Sequence, residues 1–319
     1  MTNQSAVSEF ILLGFPGLQK NFDAPISITM FFVYNISFIA NSTVTLLIIL
    51  KRSLHQPMYI IIGNLALSDL LFDTITLPKI IARYWFGSGS ISFASCVFQM
   101  FCVHFLASLD SFIIMLMAID RYIAICSPLR YHNIIRNKLV FLLCSFFWIL
   151  AAIFISCTSV LIARLPYCGP NKIRNCYCNN ISLSSLACAD NSFVIWLGFV
   201  FAMSVLLIPL GIIILTYIFI LRAVHLLARD ENWQKAFYTC TTHLFVIALY
   251  YTPRIFVYIT TQIPLTLNAD INVLLLCLYT FIPHVANPII YCLRTKDIRD
   301  ILKQTLKLRL GLKINHNSK

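Results

Sequence analysis

Asp120, Arg121 and Tyr122 stand together at the close of a long apolar run that begins near Ile91. An acid beside a permanent cation, where a hydrophobic segment meets water, serves as an anchor or as a switch. Arg121 alone would snorkel to the headgroups. Asp120 beside it favours the switch, because a carboxylate can hold the guanidinium in one orientation until a partner competes for it. A second polar set is buried deeper in apolar sequence: Asn41, Asp69, Asp73, Asp110 with Ser111, His284 and Asn287. Asp69 and Asp73 are four apart and so share one helix face. A carboxylate at the bilayer centre costs about 3 kcal/mol even on permissive scales, so these groups must face one another inside a bundle. They form either a hydrogen-bonded polar core or a pocket for a small cation, with sodium expected at Asp69 and Asp110 and Asn287 nearby, since hard oxygen ligands suit such an ion. The third feature is Arg254, nearly three turns inside the membrane from Pro264, where an unpaired guanidinium is expensive.

The elements that position these groups follow from composition. The chain has 319 residues, 59% hydrophobic and 11% charged, with mean hydropathy +0.82. Soluble domains carry about 25% charged residues, so this is a membrane composition. About 20 apolar residues span a bilayer as a helix. Seven stretches qualify, near 25–50, 57–80, 92–126, 138–163, 193–225, 234–262 and 270–292. The expected fold is an all-α membrane protein, a seven-transmembrane helix bundle. Residues 1–24 form an N-terminal arm, 25–292 the bundle, and 293–319 a short amphipathic helix and tail. Of 24 Lys and Arg, seventeen fall on the connections after spans one, three and five and on the tail, against seven elsewhere. The positive-inside rule therefore expects a cytoplasmic C-terminus and an extracellular N-terminus at the plasma membrane. The net charge of +12 is thus read as membrane topology rather than nucleic-acid binding. No cleaved signal is expected, and Asn3 in Asn3-Gln4-Ser5 is the expected glycosylation acceptor.

Five of twelve cysteines lie on the outer side: Cys96, Cys168, Cys176, Cys178 and Cys188. An oxidising exterior favours disulfides over metal ligation, and an odd count leaves one thiol over. The pairing expected is Cys96 with Cys178 and Cys168 with Cys188, leaving Cys176 free, although the sequence alone permits others. Pro209, Pro253, Pro283 and Pro288 interrupt spans five to seven and mark fixed bends or moving parts. Ile298, Ile301, Leu302 and Leu306 recur at helical spacing among basic residues, as in a helix lying on the anionic inner leaflet and its lipids. No H-E-x-x-H or G-x-S-x-G motif occurs, and no enzyme is expected. A transporter built on the intramembrane acids would show repeat symmetry and Gly-interrupted half-helices, which the sequence lacks.

Asp120-Arg121-Tyr122 after span three and Asn287-Pro288-Ile289-Ile290-Tyr291 ending span seven, with seven spans, resemble a rhodopsin-like G-protein-coupled receptor. Leu54-His55-Gln56-Pro57-Met58-Tyr59, Ser127-Pro128-Leu129-Arg130-Tyr131, the run from Lys235 to Leu244 and the even spacing of Cys168, Cys178 and Cys188 narrow this to an odorant receptor. Leu13-Gly14-Phe15-Pro16-Gly17 is similar to the fish-like class I branch. Ala40, Ile119 and Thr216 depart from the usual pattern, and Tyr250-Tyr251-Thr252-Pro253 stands where most rhodopsin-like receptors carry a tryptophan.

The resemblance implies a small-molecule odorant bound in the outer half of the bundle and a heterotrimeric stimulatory, olfactory-type G protein docking inside to raise cyclic AMP, in olfactory cilia. A non-olfactory receptor of the same fold, or an ion-coupled transporter, is the alternative. Arg121 would exchange Asp120 for the G protein while Tyr217 and Tyr291 move in, with Tyr122, His243, Asn287 and Pro288 in the switch set. Turn spacing from Cys96 to Arg121 puts His104, Ala107, Ser108 and Ser111 on the inward face of span three. Tyr251, Arg254, Tyr258 and Gln262 recur at three and four along span six, and Tyr279 completes the expected ligand set. Arg254 with His104 is expected to bind a carboxylate or other anionic group by charge-assisted hydrogen bonds, although a structural partner for either residue is the competing reading. No cofactor is expected apart from the sodium ion.

Overall fold

A computed structural model describes residues 7–226, 233–262, 268–294 and 296–309. Seven long helices form the bundle: α1 (Asp23–Leu50), α2 (Pro57–Phe86), α3 (Phe93–Cys126), α4 (Asn137–Ala163), α5 (Ser192–Leu226), α6 (Trp233–Gln262) and α7 (Ala269–Arg294). An eighth, α8 (Lys296–Arg309), follows at the far end. Among the described residues six helices are long and apolar enough to cross a membrane, and α6 carries a shorter apolar stretch, His243–Val257. The helix ends obey local chemistry. Pro57 opens α2 at the position where a missing N–H costs nothing. Ser92 caps α3 by accepting from the Ser95 N–H at 3.2 Å.

Apolar side chains point both ways, as a bilayer solvent requires. Phe32, Ile39, Ile49, Leu142, Ile153, Ile208 and Phe245 face outward, whereas Leu65, Phe72, Leu109, Ile113 and Ile220 fill the interior. α3 is the most enclosed span and packs against α2, α4 and α5, while α1 packs on α2 and α7. Between α2 and α4, Trp148 Nε1 donates to Asn64 Oδ1 at 3.0 Å, which satisfies both groups without water. At the Arg121 end of the bundle α8 packs on α7 with Ile298 fully buried, and Tyr59 of α2 donates to Asp297 Oδ2 at 2.7 Å, so an apolar contact and one polar tie dock the amphipathic helix.

The opposite end carries a cap that the all-helical expectation did not contain. Strand β1 (Glu9–Leu12) lies between β2 (Ser90–Ser92), antiparallel, and β3 (Lys172–Ile173), parallel, with Phe10 opposite Ile91 and Leu12 opposite Ile173. The strands are too short to be legible locally and come together from three distant segments. Phe10 is fully buried beneath them, edge-on to Tyr167 at 5.6 Å. Burial pushes the Tyr167 phenol up to about 12, which keeps it a donor to the Ile162 carbonyl at 2.8 Å. Gly14 takes φ +68°, and a Cβ there would stand 2.2 Å from the Tyr84 hydroxyl. That hydroxyl accepts the Phe15 N–H at 3.0 Å, and Asp270 of α7 accepts the Gly17 N–H at 3.0 Å. The glycines thus let the arm run close over the ends of α2 and α7.

Candidate functional site

Three polar centres lie along the bundle axis. At one end Asp120 is 2% exposed and Arg121 14%. The Arg121 Nε donates to Asp120 Oδ2 at 3.0 Å, and its Nη2 reaches the same oxygen. Tyr131, in the connection after α3, donates its hydroxyl to the other oxygen, Oδ1, at 2.7 Å. Burial and the Asp120 charge raise the Tyr131 phenol above its usual range, so it stays protonated and donating. Tyr217 of α5, Tyr291 of α7 and His243 of α6 are buried, and His243 lies within electrostatic reach of Arg121. The Tyr291 hydroxyl meets Met117 Sδ at 3.8 Å, and Tyr122 packs against Phe219 with ring centres 5.9 Å apart. In this arrangement Asp120 holds the guanidinium, and the Tyr291 hydroxyl is engaged by Met117 instead.

The central set is tied together more tightly than spacing alone could show. Asn41 Nδ2 donates to Ser37 Oγ and to the His284 carbonyl, each at 3.0 Å, and Ser37 donates to Asp73 Oδ2 at 2.5 Å. His284 Nδ1 lies 2.7 Å from Asp73 Oδ1, and its Nε2 lies 3.5 Å from Asp69 Oδ1. Asn287 Nδ2 donates to Asp69 Oδ2 at 3.1 Å, and the adjacent Pro288 is buried in α7. Asp69, Asp110 and His284 present ligand atoms within 4.8 Å of one another. His284 is the residue whose role the spacing did not reveal. It fills the gap between the two carboxylates of α2, which sequence marks only as sharing a face.

In the third centre, near the capped end, Arg254 is 7% exposed and its guanidinium lies 3.7 Å from the centre of the Tyr250 ring and 5.8 Å from that of Tyr279. Such stacking partly offsets the cost of a buried cation. Tyr250 donates to the Ala107 carbonyl at 2.5 Å, and Ser111 Oγ shares a 2.8 Å hydrogen bond with the Tyr251 hydroxyl while donating to the Val205 carbonyl at 2.8 Å. Ser108 spends its hydroxyl on the His104 carbonyl at 2.7 Å. His104 Nε2 accepts the Asn180 N–H at 3.1 Å, so the imidazole supports the loop after α4 and feels the charge of Arg254. His104, Ala107, Ser108, Ser111, Tyr251, Arg254 and Tyr279 are thus brought to one region where α3, α6 and α7 meet. The side chains of Tyr258 and Gln262, and all of Asn3, fall outside the described residues. The sequence marks Tyr250 only as part of a motif, and its ring is what Arg254 stacks on.

The disulfides Cys96–Cys178 and Cys168–Cys188 close the loop over this region. Tyr177, between them in sequence, is buried and reaches Thr280 of α7 at 3.2 Å. Its ring stands edge-on to Phe72 at 6.0 Å.

Comparison with known proteins supplies the family. A family model described as olfactory receptor matches residues 30–309. Human olfactory receptor 52B2 is 36% identical over 297 residues, covering 91% of this chain and 90% of that protein. Human olfactory receptor 56B2 is 37% identical over 302 residues, covering 95% of each. Human olfactory receptor 52K1 is 36% identical over 291 residues, covering 91% and 92%. The family match over residues 30–309 and these relatives therefore make this seven-helix membrane protein a member of the olfactory receptor family, a family of G-protein-coupled receptors and not of enzymes.

Proposed function

We propose that the protein is a plasma-membrane odorant receptor, of the fish-like class I branch, for small carboxylic acids or other anionic, polar ligands. Its capped end faces outside and its Arg121 end the cytoplasm, where it activates a stimulatory, olfactory-type Gα with βγ and raises cyclic AMP. The observation that carries the ligand class is Arg254. A guanidinium stacked on one tyrosine and near another keeps its orientation while its edge can donate two parallel hydrogen bonds to a carboxylate. His104, held by the Asn180 N–H, positions the loop against that site rather than competing for the ligand. The expected consequence is that Arg254→Gln loses response to carboxylic acids while the matching esters are unchanged. Equal loss for both, or no loss, measured as cyclic AMP at matched surface expression, overturns this reading. A ligand-gated current without G protein would favour transport instead.

Ligand entry loosens the contacts of α6, and Arg121 then leaves Asp120 for the G protein while Tyr217 and Tyr291 close on it. Asp69, Asp110 and Asn287 supply the hard oxygens a sodium ion needs. The fit rests on the ligand atoms of Asp69 and Asp110, which with His284 lie within 4.8 Å of one another, and on the Asn287 side chain bonded to Asp69. When bound, the ion would balance carboxylate charge in the dry interior.

A further inference from the structure

The loop after α4 holds one more ordered thiol than its two disulfides use. Cys176 is fully buried, and its Sγ lies 3.4 Å from the Sγ of Cys277 on α7, 101 residues away. Both sides of this contact are held in place. Cys178, two residues on, is bonded to Cys96 at the head of α3, and its N–H is accepted by Gln99 Oε1 at 2.9 Å. Between them Tyr177 bonds Thr280, three residues beyond Cys277, and packs against Phe281 with ring centres 6.5 Å apart. A disulfide needs its sulfurs about 2.0 Å apart, so roughly 1.4 Å of approach separates this pair from a bond.

We propose that Cys176 and Cys277 form a third disulfide, joining the loop to α7 by exchange with a low-molecular-weight disulfide such as oxidised glutathione. Of the two thiols Cys277 is the less buried and acts as the attacking one. Its thiolate attacks one sulfur of the glutathione disulfide and expels a glutathione thiolate, which takes up a proton. Cys176 then loses its proton and attacks the Cys277 sulfur of the mixed disulfide, expelling the second glutathione. Two protein thiols are oxidised and one glutathione disulfide is reduced to two thiols. The neighbouring Cys277 thiol and burial raise the Cys176 thiol well above its usual range, so it is the slower, resolving partner. The oxidising compartment comes from the orientation proposed above, on which this inference rests.

The consequence is a covalent strap. Cys96 on α3 would be joined to Cys277 on α7 through only Cys178, Tyr177 and Cys176, which limits the two Cα atoms to about 19 Å apart. The strap includes Tyr177, which lies within electrostatic reach of Arg254, and sets an upper bound on how far α3 and α7 can part for a ligand.

The test is peptide mapping of the full-length receptor, taken from the cell surface and alkylated with N-ethylmaleimide before any reduction. Chymotrypsin cuts after Tyr177 and so separates Cys176 from Cys178. The expected product is a Cys176 peptide linked to a Cys277 peptide, lost on reduction. Alkylated Cys176 and Cys277 beside an intact Cys96–Cys178 link overturns this proposal alone. Alkylated Cys96 and Cys178 as well overturns the orientation with it. Two thiols protected until a chelator is added would mean a metal-bridged pair, which also overturns it. As a second readout, Cys176→Ser, Cys277→Ser and the double variant are expected to lower the thermal midpoint equally; additive losses count against a bond.

Discussion

Tyr131→Phe tests whether Asp120 is a clamp held from both sides. In the resting arrangement the carboxylate binds Arg121 through Oδ2 and the Tyr131 hydroxyl through Oδ1 at 2.7 Å. A hydrogen bond to a charged group is worth about 1.5–3 kcal/mol. Tyr131 is only half-buried, so solvent screening brings the figure to roughly 1 kcal/mol. In the proposed mechanism Asp120 is freed when Arg121 turns to the G protein, so this energy would favour the resting state, and removing it should raise the active fraction about fivefold while that fraction is small. The perturbation deletes one oxygen and leaves the ring packing. Basal cyclic AMP without ligand, normalised to surface receptor, reads it directly. Asp120→Asn removes the ion pair itself and should raise basal signalling further. If Tyr131→Phe leaves basal output unchanged while Asp120→Asn raises it, the hydroxyl is no part of the clamp and the two-sided account is wrong.

Arg121→Ala is expected to abolish ligand-stimulated cyclic AMP at equal surface expression; a normal response would refute the role given to the guanidinium. His284→Val leaves Asp73 Oδ1 without its 2.7 Å partner, a loss of about 3–5 kcal/mol for a broken buried pair. Surface expression should fall steeply and recover in part when Asp73→Asn is added, and independent, additive losses would argue against the pairing. Gly14→Ala puts a methyl group 2.2 Å from the Tyr84 hydroxyl at φ +68°, costing about 1–2 kcal/mol for the backbone before any clash. Flow cytometry of a tagged receptor should show reduced display, while Gly211→Ala, with nothing within 4 Å of the added carbon, should not.

Some of this architecture is written in the chain. Apolar runs longer than 20 residues must cross or lie in a bilayer whatever their neighbours do, so the long helices were legible from composition and length alone. The same holds for Asp120 beside Arg121, whose ion pair needs no long-range contact, and for the apolar stripe of α8, where Ile298 proves fully buried. Intramembrane Asp69, Asp73, Asp110 and Arg254 could be recognised as important because the cost of burying charge is a property of the residue and the solvent. Their partners could not. Which group answers a buried charge depends on how helices far apart in sequence rotate against one another: His284 meets Asp73 across 211 residues, and His104, expected to join Arg254 on a ligand, accepts the Asn180 N–H instead. The β1 cap was invisible for the same reason, since strands of two to four residues carry no period and exist only where the arm, the α2–α3 turn and the long loop meet. The glycines of Leu13-Gly14-Phe15-Pro16-Gly17 looked like a family mark; packing against Tyr84 and Asp270 supplies the physical need for them. Cys176 shows the limit most clearly. Counting outer cysteines left it over, because its neighbour Cys277 lies inside a span, and only the fold brings the two thiols together.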